Sequence, residues 1–237
     1  MVAGQRLAPL LMSENHLIAK DLHLVLKSPP PWQLSGEGII LIFKFKKNWV
    51  ENFGLLPKHL EGKFKGGLGY VMLVNYEKTP VGPYHELLII PGKFRKIKKQ
   101  AITKIYVDTE VSTQNGRNNW GIPKETLPFT WEKEQGKDII QIKSGDQVIF
   151  STEITHSGLS FPVTTSLLPI SLCQIWNKVK YYTKPSGYGW GKLAKIKSLD
   201  LDPTFFPDIR DIKPLLAMKI SPFHIKFPEP TYGDEPF

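Results

Sequence analysis

Apolar residues along this chain fall in short runs or alternate with polar ones, the signature of β-strands rather than long helices. Glu37 to Lys47, EGIILIFKFKK, is dominated by β-branched and aromatic residues, and Phe43-Lys-Phe45-Lys alternates with period two. It predicts a strand. The same reading predicts a strand within Lys65 to Glu77, entered through Gly66, Gly67 and Gly69, and another at Tyr84 to Ile90 carrying Glu86 among apolar neighbours. Ile102 to Thr109 alternates as well. Leu127 to Lys133, Asp138 to Lys143 and Gln147 to Thr155 predict a meander, with turns at Gly136-Lys137 and Ser144 to Asp146.

Between these runs the pattern is less regular. Asn48 to Phe53 predicts one or two helical turns, capped by Asn48 and stopped by Gly54. Leu159 to Pro169 reads as a Pro-bounded loop, Leu172 to Tyr182 as one strand, and Pro185 to Gly191, PSGYGWG, as a turn or flexible loop. Trp190 to Leu201 and Pro214 to Phe227 look extended. Pro29-Pro30-Pro31-Trp32 is held extended and reads as a rigid edge that pins a Trp into the core, with an SH3-type ligand as the alternative. Residues 1–30 form an N-terminal arm, in which Asp21 to Lys27 is a short strand or arm, and residues 228–237 form an acidic, Pro-rich tail. With no linker and no repeat, residues 1–237 read as one domain: mainly β, a β-rich α+β chain of nine or ten antiparallel strands, closed or sandwiched, with a few short helices.

Composition narrows the chemistry. The single cysteine, Cys173, excludes an intrachain disulfide and fits a reducing compartment. Leu7 to Met12 is too short for a secretory h-region, so a cytoplasmic location without a transmembrane segment is the expectation. The six histidines include no pair at i, i+4 spacing, and no Gly-x-Gly-x-x-Gly or Walker-type lysine loop is present. No metal and no cofactor are expected. The net charge is +9, and the run Lys93, Arg95, Lys96, Lys98 and Lys99 lacks the interleaved aromatics of a nucleic-acid platform. It reads as a solvated edge, with no nucleic-acid partner; a basic surface for anionic lipid or nucleic acid is the competing reading.

The densest chemistry lies in Val111 to Trp131, VSTQNGRNNWGIPKETLPFTW. Asn115-Gly116 reads as a turn, while Thr113 to Trp120 also fits a helix. Gly121 and Pro123 constrain the approach to Lys124, beside Trp120, Ile122, Leu127 and Phe129. Such a lysine is either a loop residue with its head in water or a desolvated amine able to act as a nucleophile.

Two segments together resemble the acetoacetate decarboxylase-like superfamily. One is Gly82-Pro83-Tyr84-His85-Glu86; the other is Gly116-Arg117 followed by Pro123-Lys124, similar to that family's glycine–arginine to proline–lysine signature. The resemblance spans about Trp32 to Phe227. It implies a curved antiparallel barrel, closed or cone-like, in a homo-oligomer. It implies that Lys124 forms a Schiff base with a carbonyl substrate and that Glu86 helps proton transfer. Trp120, Asn119, Tyr84 and Arg117 would contact substrate or support the motif. Bringing a lysine from about 10.4 to near 7 takes about 4 to 5 kcal/mol, a shift that burial can supply.

The sequence departs from the family at three points. Glu125 follows Lys124 where the decarboxylase has a second lysine. No arginine precedes the first core strand near Gly36-Glu37, and no acid stands near Tyr70-Val71. These departures favour a substrate more apolar than acetoacetate, and a lyase, aldolase or dehydratase step over decarboxylation. The alternative is a non-catalytic β-barrel binding an apolar small molecule, with Lys124 merely paired to Glu86. A tight ion pair favours that alternative; burial without a close anion favours chemistry.

Overall fold

The computed structural model describes residues 27–233 except 96 and 168. The predicted strand or arm at Asp21 to Lys27 lies almost wholly outside these residues, as does the end of the predicted tail. The described chain begins with β1 (Trp32–Phe43), α1 (Lys47–Phe53), β2 (Phe64–Gly66), β3 (Gly69–Lys78) and β4 (Tyr84–Ile90). Then come β5 (Lys93–Phe94), β6 (Lys104–Val107), α2 (Glu110–Trp120), β7 (Glu125–Thr126), β8 (Phe129–Glu134), β9 (Lys137–Ser144) and β10 (Gln147–Thr164). It ends with β11 (Leu172–Trp176), β12 (Val179–Thr183), β13 (Ser186–Leu201), β14 (Leu216–Phe227) and β15 (Thr231–Gly233).

Ten strands form one sheet in the order β7-β6-β4-β3-β1-β14-β13-β10-β9-β8. All neighbours in it run antiparallel except β6 and β7. The sheet curls so far that its β8 end returns to the middle. His85 of β4 stacks on Trp131 of β8 at 5.6 Å, and Lys133 of β8 pairs with Glu37 of β1 at 2.7 Å. The end strands β7 and β8 do not hydrogen-bond to each other, so the expected closed barrel is corrected to an open, curled half-barrel.

Curling explains the unbroken apolar runs in β1, β3 and β4. Successive side chains on a strand point to opposite faces, and here both faces are covered. Ile39, Leu41 and Phe43 face inward with Leu73, Leu87 and Ile89, against Ile140, Ile142 and Phe150 of the returning arm. Leu34 and Ile42 face outward with Val74, Tyr76, Tyr84 and Leu88, under α2 and the β11–β12–β15 sheet. That second face carries the cavity described below.

Several local expectations are corrected. Asn115-Gly116 is no turn but lies inside α2, which starts at Glu110 and stops at Gly121 in the left-handed region (φ 63°). Residues 159–164 belong to β10, and residues 186–191 to β13, paired through Phe161 with Gly191 and Val163 with Gly189. The Gly-rich run is extended because its glycines lie tight on β14: a Cβ on Gly187 would sit 2.4 Å from the His224 carbonyl oxygen. Leu172 to Tyr182 is two strands, since Asn177 and Lys178 both take positive φ and turn the chain back. Helix α1 starts one residue early, and its N-cap position, Lys46, makes no side-chain cap bond.

Candidate functional site

Lys124 owes its position to the end of α2. The αL residue Gly121 reverses the chain, Ile122 N–H donates to the Gly116 carbonyl, and the next residues return along the helix. β7 then docks beside β6, pinned to α2 by the Thr113–Thr126 hydroxyl contact at 2.7 Å and by Thr126 donating to Glu110. Ser112 and Gly116 are four apart and share a helical face. Lys124 lies across that face, and its stem uses the space left by the missing Gly116 side chain.

Nζ of Lys124 is surrounded by protein. It lies 2.9 Å from Glu86 Oε2, donates to Ser112 Oγ at 3.0 Å and to Tyr84 OH at 3.4 Å, and sits 4.7 Å from the Tyr84 ring centroid. Lys124 and Glu86 are each only 4% exposed, so neither charge is met by bulk water. Tyr76 OH donates to the other Glu86 oxygen at 3.5 Å. Tyr76, Tyr84 and Glu86 share one face of the β3–β4 pair, with Tyr76 directly opposite Tyr84.

Burial pushes the Lys124 amine down, but the Glu86 carboxylate and the Tyr84 phenol outweigh it and hold the ammonium above its ordinary range. This corrects the expectation that burial lowers it. Tyr76 and Tyr84 are pushed up by burial, with Glu86 adding to both, so they stay protonated donors.

The cluster forms the floor of a cavity of about 160 Å³. Its walls are apolar and aromatic, including Trp32, Met72, Trp120, Ile220 and Phe223. Among the described residues Lys124 and Glu86 are the only charged side chains lining it. No described arginine reaches it. Trp120 is fixed as a wall by donating to the Pro228 carbonyl at 2.7 Å and by edge-on contact with Trp32 at 4.9 Å.

The remaining candidates lie elsewhere. Asn119 donates to the Ser28 carbonyl at 2.7 Å, and Arg117 lies over the Trp176 ring at 5.2 Å; neither lines the cavity. Glu125 points outward and pairs with Lys104 at 2.7 Å. His85 faces the other side of β4 and pairs with Asp108. Sequence reasoning missed Ser112 and Tyr76. Tyr76 was reachable, because counting by twos along paired strands puts it with Tyr84 and Glu86. Ser112 was reachable only once residues 112–116 were seen to be helical. Among the described residues no group of three or more His, Cys, Asp or Glu is placed to hold a metal, and no helix is long and apolar enough to cross a membrane.

A curled sheet with a buried lysine–carboxylate pair flooring an apolar cavity defines a class of small-molecule pocket proteins. The sequence matches the acetoacetate decarboxylase (ADC) family over residues 23–171, and the chain belongs to that family. A search of curated proteins by sequence finds no significant match. Solved structures share the fold. The acetoacetate decarboxylase of Legionella pneumophila is 14% identical with a TM-score of 0.63, covering 98% of each chain. The enduracididine biosynthesis enzyme MppR, complexed with pyruvate, is 14% identical with a TM-score of 0.61, covering 87% of this chain and 91% of that one. An acetoacetate decarboxylase-like enzyme from Sphingomonas wittichii is 12% identical with a TM-score of 0.56, covering 88% and 94%. At such identities the likeness is one of fold.

Proposed function

We propose that this protein is a Schiff-base enzyme acting on a neutral, largely apolar carbonyl compound, with Lys124 as the nucleophile and Glu86 as its proton carrier. The observation that carries this reading is the single amine–carboxylate pair on the floor of an otherwise apolar cavity. Replacing a buried ion pair by apolar residues is often neutral or stabilising, so stability alone gives little reason to keep one here. The carbonyl compounds bound in the similar structures, pyruvate and its condensation product with imidazole 4-carboxaldehyde in MppR, support a carbonyl ligand.

The resting ammonium must lose a proton before it adds to a carbonyl. Glu86, 2.9 Å away, accepts it. The amine adds to the carbonyl carbon, the oxygen takes up a proton and leaves as water, and an iminium remains. The iminium then draws in the electron pair of a bond at the neighbouring carbon, and the resulting enamine is protonated there. Ser112 and Tyr84 hold Nζ in place while Glu86 changes state. Tyr76 supports the far carboxylate oxygen. Among the described residues no cation besides Lys124 lines the cavity, so a substrate carboxylate finds no second partner there. Retro-aldol, aldol or dehydration chemistry on a ketone or aldehyde is therefore favoured over decarboxylation of a keto acid.

A second reading is favoured by the tight 2.9 Å Lys124–Glu86 ion pair, the feature expected of a non-catalytic binding pocket, and by the raised Lys124 amine that goes with it. A tightly paired ammonium is also a stable polar floor for a cavity that binds an apolar molecule without reacting. Borohydride trapping with ketones and keto acids of matched size separates the readings. Covalent adducts forming faster with the neutral ketones support the proposed enzyme. Saturable binding of the same ketones with no covalent adduct supports the second reading.

A further inference from the structure

A second buried lysine stands on the face of the sheet opposite the Lys124 cavity. Lys219 of β14 is 4% exposed and lies 2.8 and 2.9 Å from the two oxygens of Asp138, itself 1% exposed. It also lies 3.4 Å from Glu37, which pairs with Lys133 at 2.7 Å. Trp131 Nε1 donates to Asp138 at 2.7 Å. The charges on this floor are matched, two lysines with two carboxylates. Above it opens a cleft of about 260 Å³ whose rim includes Trp190, Lys192, His156 and Ser221.

The rim is not matched. Lys137 pairs with Glu134 at 2.7 Å, but Lys192 has no carboxylate within ion-pair distance among the described residues. It stands directly opposite Lys219 in the β13–β14 register, where like charges repel. Trp190, two residues before it and on the same cleft, leaves half of its surface in water. A spare cation beside an open indole face, over a rigid charged floor, is the arrangement that captures an anion carried on a planar group.

We propose that this cleft is a second ligand site, separate from the Lys124 cavity, that takes a small organic anion, a carboxylate or phosphate on a planar body, with its charge at Lys192 and its plane against Trp190. The site stands whether or not Lys124 is a nucleophile. His156 adds a pH dependence. Its Nε2 faces Asp138 Oδ2 at 3.4 Å. Burial makes the ring harder to protonate than a free imidazole; Asp138 and Glu37 oppose this, while Lys219 and Lys192 assist it. Among the described residues, the paired Lys133, Lys137 and Glu134 complete the charged groups on the cleft. A bound anion offsets the lysines and favours the imidazolium, so binding takes up a proton.

Calorimetric titration of the whole chain with benzoate, phenyl phosphate and inorganic phosphate tests the site. The expected result is saturable binding of benzoate or phenyl phosphate, and which of the two binds tells carboxylate from phosphate. Lys192→Met and Trp190→Ala, both at exposed positions, each weaken it by about tenfold or more, as loss of a charge-assisted contact implies. Affinity for benzoate rises as the pH is lowered through the ordinary imidazole value of about 6.5 and below it, because burial holds His156 under that value. The double replacement Lys124→Met with Glu86→Leu, which empties the first cavity of charge without leaving one unpaired, leaves it unchanged. No saturable binding of either aromatic anion, or binding unaffected by Lys192→Met, overturns the proposal. Binding abolished by that double replacement, in a chain whose unfolding transition is intact, also overturns it, since the anion would then lie in the first cavity. Inorganic phosphate bound as tightly as phenyl phosphate overturns the role of Trp190.

Discussion

The stem of Lys124 fills the space that a side chain on Gly116 would need. A Cβ on Gly116 would sit 2.6 Å from Lys124 Cδ and 2.9 Å from Cε. The motif glycine is therefore tied to the motif lysine by packing across one helical turn and a reversal. Alanine in a helix interior ordinarily adds about 1 kcal/mol over glycine. Gly116→Ala gains that much while pushing the lysine off Glu86. The loosened buried pair outweighs that gain, so stability measured by denaturant unfolding should fall, by up to the about 3–5 kcal/mol of a broken buried pair. Imine formation should fall by about 100-fold, as a displacement of about 1 Å at a reacting group does.

Glu86 is the only acid within reach of the buried ammonium among the described residues. Glu86→Gln leaves that charge unpaired and should cost about 3–5 kcal/mol at neutral pH. With the carboxylate gone, burial prevails and the amine's pKa falls. Trapping by borohydride should then reach its half-maximal rate at a lower pH than in the native chain.

The double replacement Lys124→Met with Glu86→Leu removes both charges and keeps the volume. It should be as stable as the native chain, or more so, in the same unfolding experiment. Destabilisation as large as that of Glu86→Gln would make the pair a structural element and would favour the apolar-ligand reading.

Stability should also depend on pH through Lys124. Its pKa is raised in the folded chain relative to an ordinary lysine. Its contribution is therefore fully present below the unfolded value of about 10.4 and is lost as pH rises through the higher folded value. The stability difference between the native chain and the double replacement Lys124→Met with Glu86→Leu, which leaves no unpaired carboxylate, should stay constant from neutral pH to about 10 and change only above it, in the same unfolding experiment.

Glu125, next in sequence to Lys124, should matter little. It lies on the outer side of β7 and pairs with Lys104 at the surface. Glu125→Ala should leave the trapping rate and its pH profile unchanged and alter stability by less than about 1 kcal/mol, the range of exposed ion pairs.

Much of this was legible before the fold was known, where local pattern and tertiary environment agree. The strands around Ile39 to Phe43 and Tyr84 to Ile90 are apolar enough to be buried on both faces. The orientation of Glu125 stays open in the sequence, since strand alternation allows it to face away from Lys124 without deciding it; its pairing with Lys104 turns it outward. Legibility failed where backbone packing overrode turn chemistry. Asn115-Gly116 looks like a turn, yet Asn115 caps its own helix interior by donating to the Val111 carbonyl, and Gly116 is needed for the lysine stem. The glycines of Ser186 to Gly191 look flexible, yet they are the residues that let β13 lie tight on β14. The opposition between burial and Glu86 at Lys124 could not be read either, because it depends on a 2.9 Å contact between residues 38 positions apart.

The most direct test of the central claim is the site of covalent trapping. The protein is incubated near neutral pH with a small apolar ketone, reduced with borohydride, and mapped by intact and peptide mass spectrometry beside Lys124→Ala. The account predicts one adduct, on Lys124, absent from the variant. No adduct, or labelling spread over the surface lysines and unchanged in Lys124→Ala, would contradict it and leave Lys124 as the paired floor of a binding cavity.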